Sequence, residues 1–265
     1  MECTKIITAE DLSRYANSYI SRGVIPELVY HLVRQSISEG DVCRIPYGDS
    51  INQQGLDGVV ECTYNDLSFV PEGRSYWEIG TGADPKGKAT KDLIKRTEQV
   101  QESVRRNISF VFVTPRSSGS WEEAWLAEHA EDGWKEIHIV DGVKLADWLR
   151  EFPAIALWLA TKIGIIPKES GITTPMEYWK ENFCRGQDAA PLLPPSLYTA
   201  TRENACRALE EVFTGKQQCL FICPESEDDV NDFVAAYFAS SKDEKIKKYA
   251  NQCLFISEPE AWKSI

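Results

Sequence analysis

The chain has 265 residues and a formal net charge of −12. That length supports a full α/β core with a second small unit, and the acidic balance argues against simple electrostatic wrapping of DNA. No apolar run reaches membrane-spanning length, and the opening Met1-Glu2-Cys3-Thr4-Lys5 lacks the pattern of a secretory signal, so the expected location is the cytoplasm.

Thr8 is placed to cap a first helix over residues 8–22. A second is expected to start at Pro26 and stop before Gly40, with Leu28, Leu32, Val33 and Ile37 as its apolar stripe. Short β-like runs follow at 41–46, 56–63, 68–70 and 75–80, with turns at 64–66 and 71–73. A lysine-rich helix begins near Lys86. The continuous apolar run 108–114 then has the character of a central strand covered on both faces. A helix over 121–130, a strand over 134–140 and a helix capped by Asp141 complete a mixed α/β sheet flanked by helices, assigned to residues 1–166.

Residues 167–198 read as a connector rich in proline, with one short helix. Residues 199–265 read as a second α/β unit: helix 201–213, strand 219–223, helix 227–239, a charged helix, and strand 252–257. Two strands cannot hide their own faces, so this unit is expected to be the start of a domain in a longer protein. The turn after residue 223, Cys223-Pro-Glu-Ser226-Glu-Asp-Asp229, has acids where a phosphate-cradling loop needs glycines and a lysine, which reads as a degenerate P-loop-like unit.

Among the eight cysteines, Cys43, Cys62, Cys219, Cys223 and Cys253 lie in apolar strand-like runs and are expected to be reduced and buried, with no zinc-ligand spacing. The tryptophans Trp121, Trp125, Trp134, Trp148 and Trp158 suit helix-on-sheet packing. His31, four residues beyond Glu27 and able to share its face, is expected to be a packing or surface residue, and His129 and His138 show no ligand spacing.

The chemistry concentrates between Gly55 and Arg96. Side chains alternate along strands, so Asp57, Val59 and Glu61 share one face; on the later strand Glu78 and Gly80 lie opposite to Trp77 and Ile79. If the two strands pair antiparallel, Asp57 and Glu78 meet over one cation. Mg2+ suits such a pair because it takes a few carboxylate oxygens and keeps water and substrate phosphate, and Mn2+ can substitute. Lys86, Lys88, Lys91, Lys95 and Arg96 crowd the next helix. One lysine would hold the attacking water or the developing charge, and Lys86, Lys91, Lys95 and Arg96 would track a phosphate backbone. Glu27, on the second helix, is placed as a fourth member acting through metal-bound water.

Gly55-Leu-Asp57-Gly58, Trp77-Glu78-Ile-Gly80-Thr-Gly82 and Lys88-Ala89-Thr-Lys91-Asp92, with Lys95-Arg96-Thr97, resemble the PD-(D/E)xK restriction-endonuclease-like superfamily. The resemblance is closest to the Mrr-type nuclease domains at the N-termini of large STAND-type antiphage NTPases, and it extends through Phe112-Val-Thr-Pro-Arg116, Trp134-Lys135 and Trp148-Leu149 to Trp158-Leu-Ala160. It implies a restriction-endonuclease-like core and Mg2+-dependent hydrolysis of double-stranded DNA. It also implies an effector role in a homo-oligomeric parent protein that senses a phage protein elsewhere in its chain. Asp57 matches the family's first metal aspartate, Glu78 its second acid and Glu27 the acid on the preceding helix. The pattern departs at Gly80, where the family has lysine; Lys88, then Lys91, then Lys86 are the replacements expected from the following helix. Two other readings stay open: an inactive nuclease-like domain used for DNA binding or assembly, and a regulatory protein–protein module suited to the acidic segment 225–232.

Overall fold

Six consecutive residues of one strand, Ile108–Val113, are buried on both faces, which requires a helical layer on each side. The computed structural model, which describes residues 5–48, 55–64, 67–184, 191–224, 226 and 228–265, supplies both layers. Cys3, Asn65, Asp66, Gly186, Glu225 and Glu227, which figure in the expectations above, lie outside the described residues. The chain divides into two units, Met1–Ile163 and Gly164–Ile265.

The first unit is built on a five-stranded mixed sheet in the order β1-β2-β3-β4-β5. β1 (Val42–Arg44), β2 (Gly58–Cys62) and β3 (Gly73–Ile79) form an antiparallel meander. β4 (Ile108–Val113) and β5 (Glu136–Val140) continue it in parallel. The crossover from β3 to β4 runs through α3 (Pro85–Gln99) and the short α4 (Glu102–Arg105), and that from β4 to β5 through α5 (Glu122–Glu128). Right-handed crossovers place α3 and α5 on one face. There Ala89, Leu93, Phe110, Phe112, Trp125 and Trp134 form one apolar cluster. α1 (Ala9–Tyr15), α2 (Ser21–Ser36), α6 (Gly142–Glu151) and α7 (Pro153–Lys162) form the other layer, tied by the Trp148 indole N–H donating to Ser36 Oγ at 2.9 Å. Trp125, Trp134 and Trp148 are buried packing residues, as their spacing predicts.

Three expectations are corrected in this unit. The first helix stops at Tyr15 although Thr8 does cap it, with a reciprocal Asp11 bond. α2 begins at Ser21 rather than Pro26, which lies in its second turn, where the missing N–H forfeits a single bond to the Arg22 carbonyl. Residues 68–70 are not a strand: Ser68 has φ of 58°, and Phe69 stacks on Trp148.

In the second unit β6 (Ile172–Thr173) pairs antiparallel with β7 (Phe255–Ile256). Around them lie α8 (Pro175–Phe183), α9 (Ser196–Thr199), α10 (Glu203–Phe213), α11 (Asp229–Ser240) and α12 (Glu244–Ala250). α11 is its core, with residues 233–238 all buried. Residues 219–223 form no strand, and Cys219 and Cys223 are exposed rather than buried. An apolar run becomes a strand only where a ladder partner is within reach, and among the described residues none is offered. The expected β-α-β order is therefore not formed there. The proline-rich region is more than a connector: it contributes β6 and α8, whose Trp179 packs on Ala235 and Ala236. No helix among the described residues is long and apolar enough to cross a membrane.

Candidate active site

Gly58 pairs with Trp77 in the β2–β3 ladder, so the register carries Asp57, one residue earlier, across from Glu78. The antiparallel pairing expected from alternation is present, and the Ile79 N–H donates to Asp57 Oδ2 at 2.8 Å, fixing that carboxylate at the strand end. Glu78 points to the α3 face and is only 3% exposed.

α3 approaches that face with three residues spaced four apart: Lys88, Asp92 and Arg96. Asp84 caps the helix by accepting the Gly87 N–H at 2.9 Å, and Ala89 and Leu93 anchor it to the sheet. Arg96, itself buried, donates Nε to Glu78 Oε1, Nη2 to the Gly55 carbonyl, and Nη1 to Gln99 Oε1 at 2.7 Å. Lys88 Nζ lies 2.6 Å from Asp92 Oδ2 and 2.8 Å from Oδ1, with Asp92 buried and Lys88 part-exposed. Burial pushes the Glu78 carboxyl up to about 7; the Arg96 hydrogen bond and charge pull it down, and the Asp57 and Asp92 charges push it further up.

Gly80 leaves room for the side chain of Lys88. A Cβ there would lie 2.9 Å from Lys88 Cγ and 2.8 Å from Phe112 Cζ. The stem of Lys88 thus passes through the space that a side chain at position 80 would take.

The structure gathers Asp57, Glu78 and Lys88, and adds Asp92 and Arg96. Arg96, expected on the phosphate track, is corrected to a buried partner of Glu78, where its guanidinium also donates to the Gly55 carbonyl and to Gln99. Lys86, Lys91 and Lys95 are exposed on the outer side of α3 and pair with no carboxylate among the described residues. Glu27 is directed elsewhere, pairing with Lys162 at the end of α7. His31 packs among Tyr30, Tyr47 and Trp158, and burial, only partly offset by Glu27, holds its pKa below the usual imidazole value. The Lys88–Asp92–Arg96 face was legible as an i, i+4, i+8 row; which acid each cation would choose was not.

Among the described residues no three acidic, histidine or cysteine side chains are gathered as a closed metal cage. Asp57 and the buried Glu78 form a two-carboxylate pair, a donor set that suits a Mg2+-type ion keeping water and phosphate and does not fit structural zinc. Three carboxylates face two cations here, so the cluster lacks one positive charge. The proton that Glu78 retains to about pH 7 partly answers that shortage.

An unfolded Glu78 ionises near its ordinary value of 4.5, whereas the folded carboxyl holds its proton to about 7. Its stability contribution is therefore fully present below 4.5, falls as pH rises across that window, and is lost above it. In urea unfolding, the stability of Glu78→Gln relative to the wild type is expected to rise as pH rises from 4.5 to 8, because only the wild type must give up a buried proton over that window. Mg2+ should raise the wild-type Tm more at pH 8 than at pH 6 and leave Glu78→Gln nearly unmoved. Equal shifts at both pH values would place the ion elsewhere.

No protein-family model, curated protein or solved structure matches this chain.

Proposed function

We propose that the first unit is a restriction-endonuclease-like, metal-dependent DNA endonuclease. The observation that carries this reading is at Gly80: the stem of Lys88 fills the space over that residue, on the strand where Glu78 stands across from Asp57.

Asp57 and Glu78 would hold Mg2+ or Mn2+, which would supply polarisation of the scissile phosphate and a more acidic water. The chain's own residues do the rest. Arg96 orients Glu78, and Asp57 is fixed by the Ile79 N–H. Asp92 steers Lys88, whose ammonium stabilises the charge that builds on the phosphate as water attacks. Lys91 and Lys95, one helical turn apart and of like charge, repel each other weakly, a cost that a bound phosphate backbone reverses. Glu27 lies outside this set, held by Lys162. The setting implied by the sequence resemblance, an antiphage effector in a homo-oligomeric parent triggered by a phage protein, belongs to the same proposal. Nicking of supercoiled DNA that needs Mg2+ and disappears in Asp57→Ala tests it.

One observation favours the non-catalytic reading: Arg96 already neutralises Glu78. In that reading the domain binds DNA or assembles without cutting, and Asp57→Ala changes neither.

A further inference from the structure

The corner between α1 and α2 carries two large apolar residues that the fold does not bury. Tyr19 and Ile20 lie side by side there, 82% and 66% exposed. The corner is nonetheless stiff. Ser21, fully buried, donates its hydroxyl to the Ser18 carbonyl at 2.6 Å and the Ala16 carbonyl at 3.3 Å. The Ile20 N–H donates to Ser18 Oγ at 3.3 Å, and the Ile20 carbonyl accepts from Gly23 and Val24 at 3.0 and 3.2 Å. The Arg22 guanidinium lies 5.5 Å from the centre of the Tyr19 ring and has no carboxylate partner among the described residues.

This tip is fastened to the candidate active site by one side chain. Arg116 donates Nε to the Gly82 carbonyl at 2.6 Å and the Thr81 carbonyl at 3.3 Å, in the loop that directly follows Gly80. Its Nη2 donates to Asn17 Oδ1 at 2.9 Å, two residues before Tyr19. The tip and the loop leading into α3 are thus held at the length of a single arginine.

A ring and a branched aliphatic chain exposed together on a rigid corner, beside a guanidinium without a carboxylate partner, match what proteins press against a base step, with the cation on the neighbouring phosphate. The exposed Lys86, at the start of α3, directly follows the same loop and with Arg22 supplies positive charge on this side. We infer that the Tyr19–Ile20 tip contacts the bases of the DNA duplex held at the Asp57–Glu78 site, with Arg22 on an adjacent phosphate. This rests on the nuclease reading and adds the element that grips bases rather than backbone.

The test uses the 265-residue chain carrying Asp57→Ala, so that DNA survives, with and without Tyr19→Ala and Ile20→Ala together. Because both side chains are exposed, an unchanged Tm is expected. A fluorescent duplex should bind the tip variant roughly tenfold more weakly. A 2-aminopurine scanned along the duplex should brighten on binding the intact tip and stay quenched with the variant. Equal affinity and equal 2-aminopurine signals, with Lys91→Ala still weakening binding, would overturn the inference alone. A parent chain that binds no duplex would overturn the nuclease reading and this inference with it. Loss of self-association in sedimentation, at unchanged duplex affinity, would assign the tip to a second copy and overturn it as well.

Discussion

Lys88→Ala is expected to lower DNA cleavage by roughly a hundredfold to a thousandfold, about 3–4 kcal/mol of transition-state stabilisation, while duplex affinity changes little. The contrast with Lys91→Ala is the informative part. Lys91 is exposed and unpaired, so its loss should weaken binding and its salt dependence, not the chemical step. Lys88 is held by Asp92, whose charge is felt at Glu78, and the proposal places the Lys88 ammonium where a lost charge is felt in the transition state. Gly80→Lys in the Lys88→Ala background should restore part of the rate, because removing the Lys88 stem clears one of the two obstacles at position 80. The Phe112 ring, 2.8 Å from the new Cβ, is the other and has to move aside, so full recovery is not expected. Single-turnover cleavage and anisotropy measured side by side on the same variants check all three statements. A Lys88→Ala enzyme with wild-type turnover would remove Lys88 from the chemistry.

The largest effect on stability is expected at Arg96. Arg96→Met leaves Glu78 buried without its guanidinium and strips partners from the Gly55 carbonyl and Gln99. Removing one member of a buried ion pair costs about 3–5 kcal/mol. Without the arginine the Glu78 carboxyl holds its proton to still higher pH than the wild-type value of about 7. The charge-dependent part of the loss is therefore small at pH 6 and grows as pH rises above 7, leaving the hydrogen-bond and packing loss at acid pH. Urea denaturation of wild type and Arg96→Met at pH 6 and pH 8.5 gives the comparison. A loss independent of pH would mean that Arg96 acts by packing and not through the Glu78 charge.

The placement of Asp57 and Glu78 was legible because a strand has a period of two: alternation alone set their faces, and one ladder pair, Gly58 with Trp77, sets them opposite each other. β4 was equally plain, since a run that is apolar at every position but Ser109 has only one comfortable home in a mixed sheet. Arg96 was misplaced for a physical reason. Position on a helix face is local, but whether a cation on that face turns to water or to a buried acid depends on a strand eighteen residues earlier. The same limit explains residues 219–223, where apolar content was read as a strand without knowledge of any partner, and β6, whose two residues take their pairing from β7 more than eighty residues away. The break after Tyr15 depends on the fully buried Ser21 hydroxyl closing the corner, and serine in a helical run gives no such signal by itself. The exposure of Tyr19 and Ile20 follows from that break.

The most direct test of the nuclease assignment is cleavage of supercoiled plasmid by the chain at high concentration. Mg2+ or Mn2+ would be compared with EDTA, and wild type with Asp57→Ala shown to be folded by its Tm. The account predicts nicking that requires the divalent ion and falls at least a thousandfold, about 4 kcal/mol, in the variant. Plasmid left intact by the wild-type chain with either ion, or nicked equally by Asp57→Ala, would contradict it.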